Sequence, residues 1–179
     1  MSSEPTHFEE EKGEFKLKKL SSDGVVAAIA KAEKYRLLND PTMAESICHD
    51  ILNIEPDNEE TKIILLLALT DQFGLNRASQ APRKAKELVK GFNDEFKRIY
   101  YSGLINERLG TATLNSSAMG KEHNAYEWYI EAMELYEEAE ALQPEGDNDS
   151  ILRWNTCARI IMQYNLTSRP SDDSVPLLE

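Results

Sequence analysis

The sequence predicts an all-α fold, and three observations carry that prediction. Apolar residues recur three and four positions apart in seven successive stretches. No stretch alternates apolar and polar residues over the length a strand needs. The breaks hold Pro, Gly, Asn and Asp, which stop helices and build turns. At 179 residues, 41% hydrophobic and 29% charged, the chain suits one compact domain or a short helical array.

Residues 1–20 are charged and without period, which predicts a disordered arm. GVVAAIAKAEKYRLLND predicts the first helix, with Val25, Ala28, Ala32 and Tyr35 on one stripe. It should stop at NDP, because the residue before Pro41 is pushed out of the helical region. Pro41 then fits the first turn of a second helix, which runs to about Ile54. EPDNEE supplies a turn and acids suited to the positive N-terminus of a third helix. That helix, TKIILLLALTDQF, is apolar nearly all round, the pattern of a helix between neighbours. After the loop GLNRASQA a fourth helix opens near Pro82, with Ala85, Leu88, Val89 and Phe92 at helical spacing. DEFKRIYYSGLINERLG predicts a fifth helix and TATLNSSAMG a flexible polar loop. Lys121 to Leu142 predicts a long sixth helix, and SILRWNTCARIIMQYN a seventh. The helical domain should therefore cover 21–165, with a disordered tail at 166–179.

Net charge is −12, which argues against nucleic-acid binding, since phosphate contacts need a concentrated positive field. The charge is uneven: −6 over residues 21–60, +4 over 61–110 and −9 over 111–179. A basic middle between acidic flanks can steer partners or align a homodimer. RASQAPRKAKELVKGFNDEFKR is its densest part, and a solvated helix face is the plainest account of it. Cys48 and Cys157 have neither CxxC nor Cys/His spacing, so they are expected as reduced, buried thiols. The charged N-terminus carries no secretory pattern, and IILLLAL is too short to span a bilayer. A cytoplasmic protein without membrane contact is expected. On that expectation the glycosylation-like triplets at Asn115, Asn148 and Asn165 carry no meaning. DSVPLL fits an acidic dileucine pattern, which is too short to weigh against chance.

No catalytic constellation stands out. His7, His49 and His123 are scattered, and none has a Ser, Cys or Asp partner at nucleophile spacing. There is no phosphate-binding glycine loop. Glu127, Glu131, Glu134 and Glu138 form one stripe on the sixth helix, opposite Tyr129, Ala132, Tyr136 and Ala139. No His follows a Glu by three on that helix, as a carboxylate-bridged metal site would want. The glutamates therefore read as a solvated face, and no enzyme, metal or cofactor is expected.

Aligned on a small residue, the second, fourth and sixth helices repeat. Ala44, Ala85 and Ala132 correspond, preceded three positions earlier by Pro41, Pro82 and Tyr129. Cys48, Val89 and Tyr136 stand four after, and Ile51, Phe92 and Ala139 seven after. Pro56 and Pro144 stand twelve after the first and third alanines, where they would break the helix. A small residue there lets antiparallel helices approach, and the bulkier ones fill the groove beside it. With Ala32 and Tyr35 in the preceding helix, this resembles the tetratricopeptide repeat, whose pattern ends in A-x3-F…P. The resemblance covers about residues 24–165, with the second unit lacking the proline. Spacings between the alanines exceed that family's period of about 34 residues and come closer to HEAT and armadillo repeats, the second choice.

The resemblance implies a right-handed superhelical array of antiparallel helix pairs, about seven helices, ending in a capping helix. It implies protein–protein binding in a concave groove lined by the first helix of each pair. Groove residues would be Glu33, Arg36, Ile63, Leu67, Tyr101, Arg108, Asn155 and Arg159. The expected function is an adaptor or scaffold holding a peptide or partner helix. The alternatives are a secretion-type chaperone for an exported client and a homo-oligomeric structural module.

Overall fold

The computed structural model describes residues 15–75 and 80–170. Among them are seven α-helices and no strand. A 3-10 turn at Ser22–Gly24 leads into α1 (Val25–Leu37), followed by α2 (Pro41–Leu52), α3 (Glu59–Asp71) and α4 (Ala81–Lys90). α5 (Glu95–Leu114), α6 (Lys121–Glu140) and α7 (Asp149–Tyr164) complete the order. The predicted arm lies largely outside the described residues, as do 171–179 of the tail and the middle half of GLNRASQA, 76–79.

Local chemistry sets the helix limits. Asp40, Asn58 and Asp94 each accept a hydrogen bond from the backbone N–H three residues on, at 3.1, 2.9 and 3.0 Å. Each thereby satisfies a donor that the first turn leaves open. α1 and α7 both end on an Asn in the left-handed region, Asn39 at φ 62° and Asn165 at φ 50°. After α7, Leu166 N–H donates to the Ile161 carbonyl at 3.0 Å and Asn165 N–H to Met162 at 3.3 Å. This double closure turns the chain back and brings an apolar side chain onto the helix it has left.

The structure corrects three local expectations. TATL is helix rather than loop, because α5 continues to Leu114. Thr111 Oγ1 donates to the Glu107 carbonyl and bonds Tyr129 Oη at 3.0 Å, which holds that extra turn against α6. α2 and α6 stop four residues before Pro56 and Pro144, so the prolines shape the turns and do not break the helices. The packed body also passes residue 165: Leu166 is 4% exposed, and Arg169 and Thr167 bond Asn124 and His123.

Each helix packs on the next, and α1 on α3, α3 on α5 and α5 on α7. The backbones of α2, α4 and α6 make no such approach to one another. Odd helices therefore form one layer and even helices the other. Ala44, Ala85 and Ala132 are all 0% exposed at the contacts between layers, with Cys48, Val89 and Tyr136 buried one turn on. Two cores result. One surrounds α3, with Leu65, Leu66, Leu69, Phe92 and Ile105; the other joins α5, α6 and α7 through Tyr100, Tyr129, Tyr136, Cys157 and Leu166.

The α5–α6 contact is closest at two glycines. A Cβ on Gly103 would stand 2.9 Å from a Tyr136 ring carbon, and one on Gly110 3.1 Å from Tyr129. Gly103→Ala gains about 1 kcal/mol of helix propensity, while overpacking costs about 1–3 kcal/mol. The clash should win, because the Tyr136 ring is itself fully buried. We expect Gly103→Ala to lower the thermal midpoint by about 2–4 °C for each kcal/mol of net loss. A raised midpoint in a calorimetric scan would contradict this packing.

Candidate partner-binding face

α3 has helices on nearly every side, and its least covered stripe is Glu60, Ile63, Leu67 and Asp71. Asp71 accepts from Arg36 Nη1 of α1 at 3.0 Å, and Glu59 pairs with Lys97 of α5. Lys97, Tyr101 and Arg108 recur at helical spacing, which carries Tyr101 and Arg108 along the side of α5 that faces α3. The odd helices thus present a face with Ile63 and Leu67 near its middle.

The eight residues expected there differ in what they do. Glu33 and Arg159 are exposed, while Ile63, Leu67 and Asn155 are half-buried. Arg36 is half-buried in its ion pair with Asp71, so it ties α1 to α3 at the rim. Tyr101 stacks on Phe92 with ring centroids 5.6 Å apart, meets Tyr100 edge-on at 5.1 Å and is half-buried. Arg108 is half-buried, and its Nε has no hydrogen-bond partner among the described residues.

Sequence reasoning missed the most buried charge. Glu107 is 5% exposed. Tyr136 Oη donates to its Oε2 at 2.7 Å, and Arg153 Nη1 to its Oε1 at 3.1 Å. Burial alone would lower the Arg153 pKa, but the facing carboxylate reverses this and raises it. Burial, and then the same carboxylate, push the Tyr136 phenol far above its ordinary value. Glu107 is buried and paired through both oxygens while Arg153 stays half-buried at the edge, and the cluster ties α5, α6 and α7 together. Its sequence signal is a carboxylate flanked by Gly103 and Gly110 on one helical stripe.

The basic middle is partly neutralised within the molecule. Lys84 Nζ reaches Glu45 at 2.7 Å, and Lys97 reaches Glu59, both acids of the preceding flank. Arg98 donates to the carbonyls of Phe92 and Asn93 at 2.8 and 2.9 Å. Burial would raise the Glu45 carboxyl, but hydrogen bonds from Gln72 and Lys84 outweigh it and hold the pKa below its ordinary value. Glu127, Glu131, Glu134 and Glu138 are all exposed. No helix among the described residues is long and apolar enough to cross a membrane. Comparison with protein-family models, curated proteins and solved structures finds no match to this chain.

Two expectations follow from the buried groups. Removing Arg153 alone (Arg153→Met) leaves Glu107 buried and short of a partner, which costs about 3–5 kcal/mol. The double change Glu107→Leu with Arg153→Met should recover part of that loss in denaturant titrations, the remainder being the buried Tyr136 hydroxyl left without its acceptor. Additive losses would show that the two side chains act separately.

The second concerns alkaline pH. Cys48 and Cys157 are free thiols. Burial first, then Glu45 or Glu107, pushes them from 9.0 up to about 12. Burial also raises Tyr101 from 10.0 to about 12. Folded values above unfolded ones mean stability that is whole below about pH 9 and lost as pH rises toward 12. The melting temperature should fall across that window. Cys48→Ala with Cys157→Ala should flatten the fall between pH 9 and 10, and an unchanged slope there would refute the assignment.

Proposed function

We propose that this chain is a non-enzymatic binding module that holds an extended peptide or helix of another protein against α1, α3, α5 and α7. The observation that carries this is the α3 stripe. On a helix otherwise packed on nearly every side, the accessible surface at Ile63 and Leu67 is apolar. Beside it lie the half-buried Tyr101 and Arg108 Nε, which has no hydrogen-bond partner among the described residues. A ligand that places an apolar side chain on Ile63 and Leu67 and a carbonyl or carboxylate near Arg108 would satisfy both needs.

A tetratricopeptide-like array, right-handed and concave on the odd-helix side, is the architecture we assign to this module. Supporting it are the contacts between successive odd helices and the fully buried Ala44, Ala85 and Ala132. The adaptor reading is preferred to the homo-oligomer because Lys84 and Lys97 already find carboxylates within their own chain.

Leu67→Glu and Arg108→Ala test the face, with circular dichroism melts to establish that each variant is folded. A protein captured by the unaltered chain in 0.5 M salt should be lost at least about tenfold with Leu67→Glu, the effect of roughly 1.4 kcal/mol. It should be weakened by Arg108→Ala. Equal capture by all three would sink the proposal.

A further inference from the structure

A group of unpaired cations gathers at the N-terminal end of the array. In the basic middle, Lys84 and Lys97 find carboxylates within the chain. Before α1, by contrast, Lys16, Lys18 and Lys19 are exposed and have no ion pair among the described residues. Phe15 and Leu17 stand among them, 89% and 63% exposed. The other end of the array has the complementary character. Residues 138–152, around the α6–α7 turn, hold five acids and no Lys or Arg. Glu138, Glu140, Glu145 and Asp149 are exposed there, and so are Leu142 and Leu152. One patch mixes apolar side chains with lysines, and the other mixes them with carboxylates.

Both patches lie on the same edge of the fold. Lys97 meets Glu59 at the N-terminal ends of α5 and α3, and Arg36 meets Asp71 at the C-terminal ends of α1 and α3. These three helices therefore run parallel. Thr111 meets Tyr129 and Glu107 meets Tyr136, so α6 runs back along α5. Trp154, near the start of α7, then donates to Glu137 near the end of α6. The N-termini of all four odd helices share one edge, with the lysines at its α1 end and the acidic turn at its α7 end. From this placement we infer that two copies of the chain pair edge to edge about a two-fold axis, residues 15–19 of each lying on the α6–α7 turn of the other.

Charge and symmetry argue for a second copy as the occupant. A two-fold axis through the middle of the edge brings the α1 end against the α7 end twice, and the assembly closes at two. Each contact sets lysines against carboxylates and takes exposed apolar side chains out of water. Pairing one α1 end with another would instead set lysines against lysines. The turns between the two ends give no help. Glu55 and Asp57 of the α2–α3 turn would oppose Asp94 of the α4–α5 turn, even with Lys90 beside it. The two end contacts therefore carry the dimer together, and each raises the effective concentration of the other. The odd-helix face takes no part and stays open to its ligand in both copies.

Sedimentation equilibrium of the full chain tests this. At low salt the weight-average mass should rise with concentration and level at the dimer. It should return to the monomer in 1 M salt, where charges are screened beyond about 3 Å. One variant reverses the basic patch, with Lys16→Glu, Lys18→Glu and Lys19→Glu. A second reverses the acidic patch, with Glu138→Lys, Glu140→Lys and Glu145→Lys. Each alone should self-associate at least about tenfold more weakly. All six positions are exposed, so circular dichroism melts of both variants should match the unaltered chain. An equal mixture of the two should form the dimer again, because each end then faces one of opposite sign. A monomer at every concentration in low salt overturns the inference. So does a dimer that the reversals leave intact, or a mixture that stays monomeric. Growth past the dimer also overturns it, since the copies would then form an open chain.

Discussion

One buried carboxylate organises the C-terminal half of the molecule. A charge removed from water needs partners in fixed positions, and Glu107 takes one from α6 and one from α7. Three helices are thereby held in a single register. Gly103 and Gly110, one turn to either side, make this possible by admitting the rings of Tyr136 and Tyr129 against the α5 backbone. A larger residue at either glycine would push α6 away and lengthen the Glu107–Tyr136 bond. The close approach and the buried charge therefore depend on one another.

The N-terminal half is held differently. Around α3 the interior is apolar, with Leu65, Leu66 and Leu69 between helices on either side and Phe73 and Phe92 beside them. Apolar burial of this kind stabilises without fixing direction. Orientation comes from polar ties at the helix ends, Arg36 to Asp71 and Lys97 to Glu59. The odd-helix face inherits this division. Near α3 it is apolar at Ile63 and Leu67, and along α5 it carries Arg108. A ligand bound there would meet shape and apolar area first, then directional polar groups.

The charge pattern also takes on a structural meaning. Acidic flank and basic middle are neighbours in the fold, so Lys84 and Lys97 find Glu45 and Glu59 across helix boundaries. Lys86, by contrast, lies beside the Trp128 ring on the even-helix layer. The odd-helix face and the space between α4 and α6 share α5 as a common wall.

Much of the architecture was legible because helical periodicity is a local property. The seven helices, the stripes through Ala44, Ala85 and Ala132, and the solvated glutamates of α6 could all be read from spacings of three and four. The nature of α3 as a surrounded helix came from the same source, since an apolar residue needs no particular partner to be driven inward. Polar residues behave otherwise. Whether Glu107, Arg36 or Arg153 lies at the surface or inside depends on what a helix 35 to 46 residues away brings to it, and no local pattern records that. The extra turn of α5 rests on Tyr129, and the return of Leu166 rests on a pocket made by α6 and α7. The sequence by itself determined which segments coil and which sides of them avoid water. Only the tertiary structure decided which charges are buried and where the chain turns back, because those outcomes are set by pairings between residues distant in sequence.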